Sequence, residues 1–144
     1  MARRARFDDW PCPIARAVDL VGDRWTPLVM RDAFLGRRRF GELVTSLGIP
    51  RAVLADRLDR LVAAGLLRRE RYEDHPPRDE YRLTDSGLAF YDVLAAMWRF
   101  GSDWLYDNPL EMYDRETDEV VDPVVVDARS GERIDARRVR VRAR

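Results

Sequence analysis

Apolar residues recur at helical spacing through the first third of the chain. Three of them lie three or four positions apart: Ile14, Val18 and Val21. With Pro13 suited to a first turn and Gly22 to a stop, this spacing predicts a first helix. Asp23 can cap a second helix, TPLVMRDAFLG, which has little polar surface and ends at Gly36. We expect this second helix to be the buried one.

Two further helices are predicted around a turn that contains glycine. The apolar positions of the shorter helix are Phe40, Leu43, Val44 and Leu47. Gly48 ends it, and the longer helix occupies about residues 51–64, with Gly65 as its terminator. The inward stripe of the longer helix is Leu54, Leu58, Leu61 and Val62. A short helix, a glycine turn and a longer arginine-bearing helix match helix-turn-helix anatomy.

The pattern then changes to short β-like runs at residues 66–72 and 80–83. Between them lies DHPPRD, whose adjacent prolines exclude a helix. The two runs predict a hairpin with an exposed basic tip, placed as a wing beside the helix pair. After it, Thr84 or Asp85 caps one last amphipathic helix that continues to Trp104. Its apolar and aromatic surface is too wide for a single core-facing stripe, so we expect another chain to cover part of it.

The charge distribution suggests a nucleic-acid partner although the formal net charge is zero. Basic residues outnumber acidic ones over residues 37–71, whereas residues 107–127 are almost all acidic where charged. No apolar run is long enough to span a bilayer and no secretion signal is recognisable, which favours the cytoplasm and no membrane partner. One cysteine and one histidine leave no Cys/His zinc site, so we expect no metal and no cofactor.

Four spaced segments carry a resemblance to a known family. They are CPIARAVDLVGDRWTPLVMRD, RRFGEL, GIPRAVLADRLDRLVAAGLLRR and PPRDEYRLTDSG. Together they resemble the HxlR-type family of bacterial winged helix-turn-helix transcription regulators. The resemblance implies a mainly α fold with a small β-hairpin wing (α+β), and a homodimer whose first and last helices form the two-fold interface. The resemblance covers a winged domain at residues 12–105; an arm at residues 1–11 and an extension at 106–144 lie outside it.

Within that family framework, the outward side of the fourth helix and its surroundings would meet a double-stranded DNA operator. The expected contacts are Arg38, Arg39, Arg51, Ala52, Ala55, Arg57, Arg60, His75 and Arg78. Arg51 can fork onto guanine, and the two alanines allow contact with a thymine methyl group. The other helix arginines and the pair before the third helix would reach phosphates, and the wing residues the backbone or minor groove. The alternative is that these arginines are solvated or paired with neighbours such as Asp56 and Asp59.

Cys12 and the tryptophans raise two further hypotheses. Cys12 precedes Pro13 at a helix start, where the dipole and Arg16 favour the thiolate, and some relatives sense oxidants or electrophiles with a cysteine at the matching position. The alternative is that Cys12 is a small apolar residue buried in the interface.

The expected dimer interface is Ile14, Val18, Trp25, Tyr91, Leu94, Trp98 and Trp104. The tryptophans fit an interface core better than a pocket for a small-molecule effector.

The C-terminal extension has the alternating pattern of a β-hairpin. The last residues, VVDPVVVDARSGERIDARRVRVRAR, alternate around a Ser-Gly turn and predict a β-hairpin with a basic tail, packed on the acidic stretch before it. An enzyme is not expected, because the chain has no phosphate loop, paired-carboxylate motif or serine elbow. The remaining rival is a winged-helix module that binds only protein, since a fold does not fix a function.

Overall fold

The computed structural model describes residues 6–144, and the chain divides into two compact units, Met1–Tyr91 and Asp92–Arg144. Six helices and one two-stranded sheet lie within the described residues. The helices are α1 (Pro13–Val21), α2 (Thr26–Phe34), α3 (Phe40–Leu47), α4 (Arg51–Ala63), α5 (Asp85–Ala89) and α6 (Tyr91–Trp104). The antiparallel strands are β1 (Leu67–Asp74) and β2 (Pro77–Leu83). This order confirms the predicted mainly α fold with a β-hairpin wing.

Asp23 binds the start of α2, as the sequence predicts, although the residue at the N-cap position is Trp25. Its carboxylate accepts the backbone N–H groups of Trp25 at 2.9 Å and Thr26 at 3.0 Å, and the Thr26 hydroxyl donates to it at 2.5 Å. Burial raises the pKa of Asp23, but the bonds from Thr26, Trp25 and Arg57 outweigh burial and lower the pKa to about 2. The cap is therefore ionised at neutral pH.

The core of the first unit lies between α2, α3, α4 and the base of β1. Its buried apolar residues are Val29, Met30, Leu43, Ile49, Leu54, Leu58, Leu61 and Leu67. Three leucines of α4 are among them, which confirms the predicted inward stripe except that Val62 is only half-buried. Gly48 follows α3 with a left-handed φ of 63°, a conformation that favours glycine. The glycine turn between α3 and α4 is therefore where the sequence predicts it.

The burial of α2 differs from the expected near-apolar helix. Val29 and Met30 are buried, but so are Thr26 and Asp32, whereas Leu35 near its end is 65% exposed. The Asp32 carboxylate pairs with Arg31 at 2.8 Å and Arg37 at 3.6 Å through the same oxygen. With four buried residues, α2 is still the most buried of the described helices, which confirms that prediction. Apolar content did not predict Asp32, because a buried carboxylate with arginine partners can occupy a core position.

The wing is longer and its loop shorter than the sequence pattern indicates. Strand pairing continues from Leu67–Leu83 at the base to Asp74–Pro77 at the tip, so only His75 and Pro76 lie between the strands. Pro77 is tolerated because it is the first residue of its strand. The register shifts between Arg71 and Glu73, which is typical of a β-bulge.

The predicted single last helix is wrong, because the chain forms α5 and α6 with a break at Phe90. Thr84 caps α5 by accepting the Gly87 N–H at 3.1 Å. The Phe90 N–H then bonds back only three residues, to the Gly87 carbonyl at 3.1 Å, which tightens and ends this short helix. No proline near Phe90 marks the break in the sequence.

The second unit contains most of α6 and two tight turns. An isolated antiparallel bridge joins Tyr113 to Val120, and another joins Val126 to Arg133 around the turn at Gly131, whose φ is 72°. Arg99 on α6 pairs with Asp103 at 3.1 Å and Asp122 at 2.7 Å. Across residues 6–144, no helix is both long and apolar enough to cross a membrane.

Candidate nucleic-acid interface

The segment before α3 is fastened to both α3 and the wing. The Tyr81 N–H donates to the Arg38 carbonyl at 2.7 Å. The backbone of Arg39 pairs with that of Glu80 in β2 as an isolated antiparallel β-bridge. The Glu42 carboxylate accepts the backbone N–H groups of Arg38 and Arg39, each at 3.0 Å. The Arg39 and Arg38 N–H bonds lower the pKa of Glu42, which keeps this clamp ionised at neutral pH. The backbone of both arginines is thus fixed where α3 meets β2.

Two exposed arginines at this junction lie over aromatic rings. The Arg39 guanidinium is 4.2 Å from the centre of the Tyr72 ring, at the β1 bulge. The Arg51 guanidinium, at the first turn of α4, is 4.9 Å from the centre of the Phe40 ring at the first turn of α3. Such stacking orients a guanidinium while leaving its N–H donors available. The start of α3, the start of α4 and the wing therefore form one surface, which we call the arginine junction.

Three cations of the arginine junction form no ion pair with the described residues. The side chains of Arg38, Arg39 and Arg51 make no ion pair with any residue in the 6–144 range, and all three residues are exposed. Ala52 and Ala55 are also exposed, on the side of α4 away from the buried leucines. The structure thus presents five of the nine predicted contact residues on the outer side of the helix pair.

Arg57 and Arg60 have a different environment. Arg57 is only 17% exposed; it donates to Asp23 at 3.0 Å and also pairs with Asp56. Arg60 donates to the backbone carbonyl of Asp19 at 2.5 Å. Both arginines therefore tie α4 to the end of α1 and the loop that follows it. A phosphate contact by either would compete with these bonds.

The wing residues are exposed but largely paired. His75 is exposed at the tip, and Arg78 beside it pairs with Glu73 at 3.4 Å. Most other wing arginines also face acidic neighbours. These pairs are Arg68–Glu70, Arg69–Asp59, Arg71–Asp79, Arg82–Glu70 and Arg82–Glu80. The wing tip is therefore less cationic than its arginine content indicates.

Sequence reasoning missed three residues that support the arginine junction. Glu42 was available from the sequence, because a glutamate three residues into a helix commonly bonds back to the helix start. Tyr72 and Phe40, the rings under Arg39 and Arg51, carry no such signal. Phe40 reads as an apolar helix position, and Tyr72 meets Arg39 only because the wing folds back beside α3.

The predicted interface residues are apolar and incompletely packed within this chain. Neither α1 nor α6 contains a fully buried residue among the described side chains. Ile14 is 75% exposed and Trp104 is 77% exposed. Val18 and Tyr91 are exposed as well, and Cys12, Trp25, Leu94 and Trp98 are half-buried. Each helix thus presents apolar surface that residues 6–144 leave exposed.

The helix pair, the glycine turn and the attached two-stranded wing define a winged helix-turn-helix protein. Residues 20–109 match the HxlR-like helix-turn-helix family, and the chain belongs to this family of transcriptional regulators. An uncharacterized HTH-type transcriptional regulator of Mycobacterium tuberculosis is 40% identical over 129 residues, covering 88% of this chain and 82% of that protein.

Solved structures share the architecture. The crystal structure of PA1607 is 35% identical with a TM-score of 0.85, covering 96% of this chain and 99% of that one. The redox regulator HypR in its reduced form is 28% identical with a TM-score of 0.60, covering 64% of this chain and 92% of that one. The match to PA1607 includes the extension beyond the winged domain.

Proposed function

We propose that this regulator binds a specific double-stranded DNA operator as a homodimer, through the arginine junction. The proposal rests mainly on three exposed arginines at the starts of α3 and α4 that form no ion pair with the described residues. In helix-turn-helix proteins the first turn of the second helix meets base edges in the major groove. We expect the protein to act in the cytoplasm, where a bacterial chromosome is accessible.

We assign different roles to the arginines according to the groups that surround them. Arg51 forks onto a guanine, with Ala52 and Ala55 leaving room for a thymine methyl group. Arg38 and Arg39 contact phosphates beside the groove, and the wing tip with His75 and Arg78 approaches the flanking backbone or minor groove. Of the arginines in α4, Arg57 and Arg60 serve mainly to hold the helix in place, through Asp23 and the Asp19 carbonyl.

The homodimer is supported by apolar surface on α1 and α6. Ile14, Val18 and Trp104 are exposed although each is large and apolar. Exposed apolar surface of this kind commonly marks an interface in soluble proteins. Two copies related by a two-fold axis would present two recognition helices to successive half-sites of an operator. We expect the seven predicted interface residues to lie at that contact.

A salt titration tests both parts of the proposal. We expect the protein to sediment as a dimer and to bind mixed-sequence duplex DNA at low salt, measured by fluorescence anisotropy. The logarithm of the affinity should fall linearly with the logarithm of salt concentration, by about 0.9 per phosphate contact. A winged-helix module that binds only protein would show no duplex binding at low salt. A monomer at micromolar concentration would contradict the dimer.

We also propose that Cys12 makes operator binding sensitive to oxidants, as a second candidate function that depends on the homodimer. Cys12 is half-buried immediately before α1, the helix proposed to meet its partner. The similar protein HypR is described as a redox regulator. Since the chain has one cysteine, an oxidant such as diamide would remove two hydrogens from two Cys12 thiols and leave one disulfide between subunits.

Replacing Cys12 with serine tests this candidate. Diamide should convert the wild-type protein to a covalent dimer on a non-reducing gel and change its operator affinity, and dithiothreitol should reverse both effects. Cys12→Ser should show neither response while binding the operator as reduced wild-type protein does. An equal change in operator affinity in the variant would rule out Cys12 as the sensor.

A further inference from the structure

We propose that a cavity between the N-terminal arm, α1 and α4 binds a small organic monocarboxylate. The cavity has a volume of about 530 Å³, within the usual range for small-ligand sites. Its lining includes Arg6, Arg16, Asp19, Leu20 and Arg60. It lies apart from the arginine junction, which is formed by the starts of α3 and α4.

The described part of the arm, residues 6–11, is held against α1 by a defined bond. The Phe7 N–H donates to the Asp19 carboxylate at 2.6 Å, and Phe7 packs edge-on against Trp10 with ring centres 5.0 Å apart. Arg6, next to this anchor, pairs with Asp8 at 2.9 Å. Arg6 and Asp8 of this described part therefore line one wall of the cavity.

The charges of the lining select the ligand class. Among the described lining residues, Arg6, Arg16 and Arg60 contribute three positive charges and Asp8 and Asp19 two negative charges, a net charge of +1. Arg16 makes no ion pair or side-chain hydrogen bond to any residue in the described part of the chain. A guanidinium binds a carboxylate with paired N–H donors. The two lining carboxylates disfavour a doubly charged anion such as phosphate.

Arg60 links this cavity to the DNA-binding helix. Its guanidinium donates one N–H to the Asp19 carbonyl at 2.5 Å, and its other N–H donors can bind a ligand. Leu20 and Ala64 supply apolar contacts for the body of the ligand. A carboxylate held by Arg16 and Arg60 would bridge α1 and α4. Any effect of such a ligand on operator affinity rests on the proposed function, whereas its binding does not.

Calorimetry of the full chain without DNA tests the site. The probe is benzoate, with benzamide as the uncharged match and inorganic phosphate as the dianion. We expect benzoate to bind with one site per chain at concentrations up to about 10 mM, and benzamide and phosphate to give no saturable heat. Arg16→Gln should weaken benzoate at least tenfold. Arg24→Gln, which removes an exposed arginine outside the cavity, should leave benzoate binding unchanged.

The outcomes separate this proposal from the one on DNA. No saturable benzoate binding by the wild-type chain would overturn it, as would equal affinity in Arg16→Gln and wild type. Saturable binding of benzamide as tight as that of benzoate would also overturn it, because the guanidiniums would then not recognise a carboxylate. If the protein binds benzoate but no duplex DNA, the carboxylate site is supported and the proposal of operator binding is contradicted.

Discussion

Replacing Gly87 with alanine should destabilise the winged unit by about 3 kcal/mol and weaken DNA binding with it. A Cβ at this position would lie 2.0 Å from the Leu66 carbonyl oxygen and 3.1 Å from its carbon. Because the atoms in the way are backbone, they cannot move aside as a flexible side chain would. The helix α5 would have to shift away from the residues that join α4 to β1.

That shift would disturb the base of the wing. The Thr84 N–H donates to the Leu66 carbonyl at 3.1 Å, and the Ser86 hydroxyl donates to the Gly65 carbonyl at 2.8 Å. The first bond lies next to the last strand pair, Leu67–Leu83, and the second ties α5 to the turn after α4. A displaced α5 would weaken them and loosen the position of the wing relative to α4. The expected loss of DNA affinity follows from this loosening.

Urea denaturation measures the effect, with Gly101→Ala as the matched control. Gly101 lies within α6, and a Cβ there meets no heavy atom within 4 Å. Alanine in a helix interior is favoured over glycine by about 0.5–1 kcal/mol, so the control should gain stability. Equal midpoints for Gly87→Ala and wild type would show that the close approach at Leu66 does not constrain the fold.

The first four helices could be predicted from the sequence because their signals are local. Glycines follow α1, α3 and the end of α4, the α4 leucines recur at three and four residues, and Asp23 stands where a cap is needed. Local propensity and packing agree in these segments, so spacing alone locates them. The break at Phe90 could not be predicted, because no proline marks it and the apolar residues continue through it from Leu88 to Tyr91.

The candidate site could be predicted by region but not by role. The sequence gathers arginines between residues 37 and 71, and helix-turn-helix anatomy says which helix should meet DNA. It does not say which arginines acquire acidic partners. Arg57 meets Asp23 from 34 positions away, whereas Arg51 meets a phenylalanine ring and no acid in the described chain. Only tertiary packing distinguishes an arginine that holds α4 from one that is free to contact DNA.

Arg51→Ala should reduce discrimination among operator sequences by about 1–3 kcal/mol, whereas Arg38→Ala should weaken binding to all duplexes alike. Arg51 is exposed at the first turn of α4 and packs over Phe40, so its loss should remove the proposed base contact from a preformed position. Arg38 has a clamped backbone and a free guanidinium before α3. Its loss removes one phosphate contact and should reduce the salt slope by about 0.9.

Anisotropy titrations on the operator and on a scrambled duplex, each at several salt concentrations, distinguish the two roles. Arg24→Ala is the charge-matched control, because it removes an exposed arginine outside the arginine junction and should change neither slope nor discrimination. If Arg51→Ala and Arg38→Ala lower both affinities equally, Arg51 does not contact a base. Arg51 and Arg38 are both exposed and neither forms an ion pair within residues 6–144, but only Arg51 packs over Phe40. A change in discrimination between operator and scrambled duplex, rather than a change in overall affinity, therefore identifies a base contact.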